Sequence, residues 1–269
     1  MNSLDSVFKT ALPLAIDSAL SAGKFIRSKF GKFKELHSKA DSSFVTEVDR
    51  GSEAIIFKKI RSQFKNHVFI GEETGRSNGF NSEFQWHIDP LDGTTNFIHG
   101  FPIFCVSIGL AHASHGPILG VIYQPMSGDL YWGTLGRGAY RKSEGIAQKR
   151  LHVSKNKNLK KALLSTGFSM RHHDLFKKEM DSFKRLAFIS HSIRRTGSAA
   201  MDLTYVATGQ FDGFWERGLS SWDVTAGLTL VSEAGGKFSQ LNGKAYALTD
   251  KTLLASNAFL HKPILSLLR

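Results

Sequence analysis

The sequence predicts a mixed α/β sandwich with two sheet-containing halves, and three observations carry that expectation. Helical stripes and short apolar runs alternate along all 269 residues. Hairpin signals in the first half argue against a purely parallel, doubly wound sheet. No internal repeat, low-complexity tract or Pro/Ser-rich linker divides the chain, so residues 1–269 read as one unit with approximate halves 1–150 and 151–269.

The elements follow in order. Leu4, Val7, Phe8, Ala11, Ala15, Ala19, Ala22 and Ile26 recur at mostly three- and four-residue steps, a helical stripe. Pro13 sits inside that stripe, so the helix is expected to kink there or to begin near it. A second helix is expected after Asp49, with Ile55, Ile56, Ile60 and Phe64 on its inner face. "HVFIGEE" reads as a short buried strand ending at Glu72 and Glu73. "FQWHID" is the next strand, and Pro90 helps to end it, because proline lacks the N–H that a central strand requires. "FCVSIGLAH" and "PILGVIYQP" are strands joined by the turn "ASHG", and "GDLYWGTLGRGAYRK" continues as a Gly-punctuated hairpin. In the second half, helices are expected near residues 175–186, 198–208 and 223–234, between strands such as "ALLSTGF" and "FDGFWER".

Composition limits the function classes. Apolar content of 41% and charged content of 22% suit a globular chain and exclude wholesale disorder. The single cysteine, Cys105, excludes a disulfide framework and reads as a buried free thiol of a reducing cytosol. "TALPLAIDSALSAGK" faintly resembles a signal core, but Asp17 interrupts its apolar run and Asp5 precedes Lys9. No run approaches the roughly 20 apolar residues of a membrane span, so no membrane role and a cytoplasmic location are expected. The net charge of +12 raises encounter rates with anions such as phosphorylated metabolites, nucleic acid or anionic lipid. The lysines are scattered, however, and the densest basic segment, residues 142–161, is interrupted by apolar and polar residues. Nucleic acid has only the net charge in its favour.

The acidic residues at element boundaries carry the chemistry. Asp89 and Asp92 flank Pro90-Leu91 in "WHIDPLDGTTNF", close enough that two like charges repel unless something positive lies between them. Glu72 and Glu73 end a strand, Asp49 closes "FVTEVD" before a helix, and Asp223 opens another helix in "SSWDVTAG". Any one of them alone reads as an N-cap or a solvated turn residue. Together they suit a hard divalent cation, which prefers oxygen ligands. No histidine or cysteine belongs to the set, which argues against zinc, and His112, His115, His172 and His173 read as surface residues. Gly93 directly after Asp92, followed by Thr94 and Thr95, allows close backbone approach and a phosphate-binding turn. A Walker A loop, a G-x-S-x-G elbow and a strand-linked G-x-G-x-x-G are all absent. Carboxylate-held metal beside an anion-binding turn points to phosphoryl chemistry.

"DPLDGTTNFIHGFP", with "GEE" upstream and "GSAAMDL" and "WDVTAGLTLVSEAGG" downstream, resembles the inositol monophosphatase family of Mg²⁺-dependent, lithium-sensitive phosphatases. The resemblance covers essentially the whole chain. It implies a layered α/β/α/β/α sandwich with mixed sheets, usually a homodimer, in which residues 1–150 hold the metal and phosphate. It also implies two or three Mg²⁺ ions per site, with Glu72, Asp89, the Leu91 carbonyl, Asp92 and Asp223 as ligands. Thr94 and Asp49 match the pair that orients the attacking water, and Glu72 acts with them. Gly93 and Thr94 match the backbone donors to phosphate. Gly197, Ser198, Ala199 and Glu216 fall where the family contacts the alcohol part of its substrate, and Lys39 resembles a lysine near the metal loop. The chain departs from the family's habits at Ser43, at Ser220 and at "RKSEGIAQKR", which lacks an Asn-Gly turn.

The expected activity is hydrolysis of a small phosphate monoester by in-line attack of a metal-activated water. Thr95-Asn96-Phe97 after "DGT" favours inositol 1-phosphate over histidinol phosphate, fructose 1,6-bisphosphate or a nucleotide 3′-phosphate. The rival from another class is an RNA- or protein-binding regulatory protein on a phosphatase scaffold. A carboxylate-metal nuclease fares worse, because no basic groove interleaved with aromatics can be traced. Trp86, Trp132, Trp215 and Trp222 read as core or site-flanking residues, and Arg194-Arg195 as either phosphate contacts or surface.

Overall fold

The computed structural model describes residues 3–32, 37–38, 44–45, 47–77, 82–168 and 173–268. Lys39, Ser43 and His172 lie outside the described residues. Helix α1 (Ser3–Lys29) runs through Pro13 and does not begin there. Pro13 is exposed, so the hydrogen bond its ring denies belongs to the solvent side, where water can replace it. Ala11, Ala15, Ala19, Ala22 and Ile26 are fully buried, as their spacing predicts. A two-residue ribbon, β1 (His37–Ser38) with β2 (Phe44–Val45), leads into α2 (Glu47–Gln63). That helix begins before Asp49, which lies in its first turn.

Strands β3 (Val68–Gly71), β4 (Gly75–Arg76) and β5 (Phe84–Asp92) follow. Pro90 does not end β5, contrary to the sequence expectation. The ladder slips register between Asp89 and Asp92, and this bulge accommodates a residue with no N–H to give while re-aiming the flanking side chains. After α3 (Thr94–Ile98) come β6 (Cys105–His112), β7 (Gly116–Gln124), β8 (Asp129–Thr134), β9 (Ala139–Lys142) and β10 (Lys149–Arg150), each antiparallel to its predecessor. The eight-stranded sheet has the order β10-β9-β8-β7-β6-β5-β3-β4, with β3 and β5 its parallel pair.

The second half supplies β11 (Leu163–Thr166), α4 (His173–Ile189), β12 (Ser192–Arg194), α5 (Ala199–Ala207), β13 (Gly213–Arg217) and α6 (Ser221–Glu233). It ends with β14 (Lys237–Ser239), β15 (Thr252–Ser256) and α7 (His261–Leu268). Its five-stranded sheet has the order β12-β11-β13-β15-β14, parallel across the first three strands and antiparallel beyond.

Helices α1 and α2 cover one face of the large sheet, and α6 with α5 lies between the two sheets. Helices α4 and α7 close the outer face of the small sheet, completing five α/β/α/β/α layers. Every residue of α6 from Val224 to Val231 is buried, because this helix meets sheet or helix on all sides. Gly109 and Gly120 let it approach: a Cβ on Gly109 would strike Thr225, and one on Gly120 the Ala226 carbonyl.

Two smaller readings need adjustment. The His112 side chain is only 10% exposed and stands edge-on to Phe84, so it is not a surface residue, whereas His115 is exposed. Cys105 is buried and unpaired. Among the described residues, no helix is long and apolar enough to cross a membrane.

Candidate active site

The site begins where β5 ends. Gly93 adopts φ 94° and ψ 35°, a left-handed conformation that glycine reaches at little cost, and caps α3. A Cβ there would stand 2.9 Å from the Ile103 carbonyl. The turn aims Thr94 back at α2, where its Oγ1 lies 2.9 Å from Asp49 Oδ1 and 3.1 Å from the Leu91 carbonyl oxygen. Asp49 is 1% exposed. Asn96, one turn on, donates through Nδ2 to the Ile103 carbonyl at 2.6 Å and to the Thr196 carbonyl at 2.8 Å. Asn96 thereby ties the first half to the loop that enters α5, a structural role that its place in the motif does not announce.

The acids come from separate elements. Asp89, 2% exposed, accepts from Leu91 N at 3.0 Å through Oδ1. Asp92 Oδ2 accepts from Ser198 Oγ and from Ala200 N, both at 2.7 Å, so the start of α5 is built around it. Asp223 does not open its helix. Ser220 is the N-cap, and Asp223 stands at the third helical position, where its Oδ2 accepts from Ser220 N at 2.7 Å in a capping box. Glu72 follows β3, its N–H bonded to the Ile88 carbonyl at 3.1 Å.

Electrostatics marks these groups as one set. Burial, then Glu72, Asp92 and Asp223, push Asp89 well above the usual carboxylate range. Burial raises Asp92 to about 6, against the hydrogen bonds from Ser198 and Ala200 and with repulsion from Glu72. It raises Asp223 to about 8, opposed by the Ser220 amide and assisted by Asp92 and Glu72. Asp92 and Asp223 are half-buried at the cleft wall, and the protein around them still strips away most of their hydration.

The donor chemistry fits a hard divalent cation: oxygen donors only, mostly carboxylates, with burial making their unneutralised charge costly. Glu53, also buried, is raised above its ordinary pKa by that burial, opposed by hydrogen bonds from Glu73 and Thr74 and assisted by Glu72. Among the described residues, no group of three or more His, Cys, Asp or Glu side chains is already arranged to hold a metal ion. Asp89, Asp92, Asp223 and Glu72 lie close enough for their charges to act on one another.

Beside Asp92 and Asp223 lies a cavity of about 180 Å³ that Gly197, Ser198, Ala199 and Glu216 also line. Larger clefts of about 420 Å³ each run along α1, away from the acids. Glu216 is pushed far above its ordinary pKa by burial, then by Asp223, Asp202 and Glu179. Gly167 packs directly against it, and a Cβ there would displace the Glu216 carboxylate. Sequence reasoning missed Gly167 and Leu219, which carry no local motif, and did not single out Asp202, although it lies inside "GSAAMDL". Arg195 also lines the cavity, stacked over Phe168 at 5.3 Å, whereas Arg194 bonds Ser192 and the Ile193 carbonyl.

With this geometry in hand, comparison with known proteins is specific. A match to the inositol monophosphatase family spans residues 8–269. The chain is 41% identical over 259 residues to a fructose-1,6-bisphosphatase/inositol-1-monophosphatase of Aquifex aeolicus, covering 96% of this chain and 94% of that one. It is 38% identical over 267 residues to the Nus factor SuhB of Pseudomonas aeruginosa, covering 95% and 94%. Among solved structures, the inositol monophosphatase of Anabaena (Nostoc) sp. PCC 7120 superimposes with a TM-score of 0.86 at 37% identity, covering 97% and 96%.

Proposed function

The chain belongs to the inositol monophosphatase family of phosphoric monoester hydrolases, and from that premise we propose that it is a Mg²⁺-dependent phosphatase acting on inositol 1-phosphate. The observation that carries this reading is the Thr94–Asp49 hydrogen bond at 2.9 Å, set beside Asp89, Asp92 and Asp223, whose pKa values are raised by burial and by neighbouring acids, Glu72 among them. Glu72, Asp89, Asp92, Asp223 and the Leu91 carbonyl would hold the cations. A divalent cation held there would neutralise the acids and supply acidification of water and stabilisation of charge on the leaving oxygen.

The chain's own residues do the rest. Thr94 is no base; by donating to Asp49 it keeps its oxygen lone pairs for a water proton and fixes that water's direction. Asp49 is buried and cannot swing away, so the threonine rotamer is fixed. The N–H groups of Gly93 and Thr94 receive phosphate oxygens. Water adds to phosphorus as the ester P–O bond breaks, one proton of that water ends on the leaving oxygen, and the alcohol so formed leaves toward Gly197, Ser198, Ala199 and Glu216. Homodimer formation, lithium inhibition and a cytoplasmic location belong to the same proposal.

The test is a panel of inositol 1-phosphate, histidinol phosphate, fructose 1,6-bisphosphate and adenosine 3′,5′-bisphosphate. Inositol 1-phosphate is expected to show the highest kcat/KM, and a clear preference for another ester would overturn the substrate assignment. The bisphosphatase part of the Aquifex relative's name supports including the third compound. Similarity to a chain named Nus factor SuhB, with the net charge of +12, supports a second role as an RNA- or protein-binding partner. Salt-sensitive RNA binding without Mg²⁺-dependent phosphate release would favour that role over catalysis.

A further inference from the structure

Three side chains in neighbouring turns of α2 face the site, and the chemistry above uses only Asp49. Ser52 and Glu53 are 0% and 1% exposed. A hydroxyl and a carboxyl buried this completely are costly unless bonded, and both bond segments that carry candidate cation ligands. Ser52 Oγ donates to the Pro90 carbonyl at 2.8 Å, inside the bulge between Asp89 and Asp92. Glu53 Oε2 accepts from Glu73 N at 3.1 Å, the peptide directly after Glu72. On the other side of Glu72, Gly71 has no room for a Cβ, because Glu53 Oε2 and the Phe57 ring stand where it would lie. One carboxyl thus bonds the peptide after Glu72 and packs closely on the glycine before it.

We propose that Glu53, assisted by Ser52, is a positioning residue for cation binding, a role that rests on reading Glu72, Asp89 and Asp92 as ligands. Neither residue reaches the reacting atoms. Glu53 holds the peptide after Glu72 and packs on Gly71 before it, Ser52 holds the carbonyl between Asp89 and Leu91, and their shared helix sets the spacing between the two ligand-bearing segments. Without this hold, the Glu72 carboxylate is free to retreat from the acids that repel it. Partners behind metal ligands typically contribute about 10- to 100-fold in metal affinity.

The experiment is isothermal titration of the full, metal-stripped chain with Mg²⁺, for wild type, Glu53→Ala, Glu53→Gln and Ser52→Ala, with Mg²⁺ dependence of phosphate release measured in parallel. Glu53→Ala is expected to weaken Mg²⁺ binding about 10- to 100-fold, with kcat recovering at saturating Mg²⁺. Glu53→Gln keeps an acceptor for the Glu73 N–H and is expected to recover most of the affinity. A purely structural role would lower thermal stability without moving the Mg²⁺ dependence. Should Glu53→Ala not fold, Ser52→Ala carries the test, with weaker Mg²⁺ binding expected. Folded variants with wild-type Mg²⁺ affinity overturn this inference alone. A wild-type chain that binds no Mg²⁺ overturns the functional reading and this inference with it.

Discussion

Thr94 Oγ1 donates to Asp49 Oδ1 at 2.9 Å, joining residues 45 positions apart in the chain. The bond links the first turn of α3 to the first turn of α2, across the end of β5. Its geometry depends on the Gly93 turn, on the early start of α2 and on Asp49 being buried.

That bond predicts a sharp split between two substitutions. Thr94→Ala is expected to lower kcat by about 10²-fold or more, the scale of a misdirected reactant. Thr94→Ser, which keeps the hydroxyl, should retain most activity. Both variants should unfold near the wild-type midpoint. Equal activity in the two would remove Thr94 from the mechanism.

The raised acids predict a pH signature. Asp92, at about 6, and Asp223, at about 8, hold protons in the folded chain that an unfolded carboxylate near 3.8 has released. Folding is therefore most favoured by these groups at low pH, and their contribution is lost as pH rises through about 6 and then about 8. Mg²⁺ competes with the same protons, so its stabilising effect should grow over that window. Urea unfolding at about pH 5 and about pH 8, with Mg²⁺ and with chelator, reads both effects. A Mg²⁺ stabilisation that does not change with pH would contradict the acids as the cation site.

Gly167 predicts a substrate-affinity effect. In Gly167→Ala the added methyl must displace the Glu216 carboxylate, which lines the cavity beside Asp92 and Asp223. KM for inositol 1-phosphate should rise more than kcat falls if, as proposed, Glu216 contacts the alcohol and not the phosphate. A larger loss in kcat than in substrate affinity would move Glu216 away from that role.

Behind Glu216 lies a buried ion pair whose removal should be read in stability. Arg217 Nη1 meets Glu179 Oε2 at 2.7 Å, with the two side chains 9% and 2% exposed. Burial raises Glu179 despite the attraction of Arg217. Arg217→Met strands the carboxyl and should cost about 3–5 kcal/mol, whereas the double variant Glu179→Leu/Arg217→Met should cost much less. Urea midpoints of the two distinguish them; equal losses would mean that shape, not charge, is at stake.

The fold was largely legible because its core follows simple periodicities. The Ala11–Ile26 stripe, the strands around Ile108 and Val121, and the apolar α6 each show their burial in spacing. Boundaries were less legible where tertiary contacts override local preference. Pro90 marks the end of a strand by local rules, yet the bulge against β6 carries β5 to Asp92. Asp223 reads as an N-cap, yet Ser220 takes that place. The short strands β14 and β15 have little signal apart from the pairing of β15 with β13 and of β14 with β15. In the candidate site, acids adjoining glycine and proline stood out, because turns with special backbone needs leave a mark in sequence. Ser52, Glu53 and Gly167 did not stand out, because a hydroxyl or carboxyl on a helix and a glycine after a strand are ordinary until the fold brings their partners near.

The most direct test is Mg²⁺-dependent phosphate release from inositol 1-phosphate by Asp89→Asn. Asp89 is the most enclosed of the four acids, with Glu72, Asp92 and Asp223 all acting on it. The substitution should abolish release while leaving the metal-free chain as stable as wild type or more so, since an amide cannot ionise among acids that already oppose ionisation of Asp89. Wild-type release by folded Asp89→Asn would contradict the assignment of this carboxylate cluster as the catalytic centre.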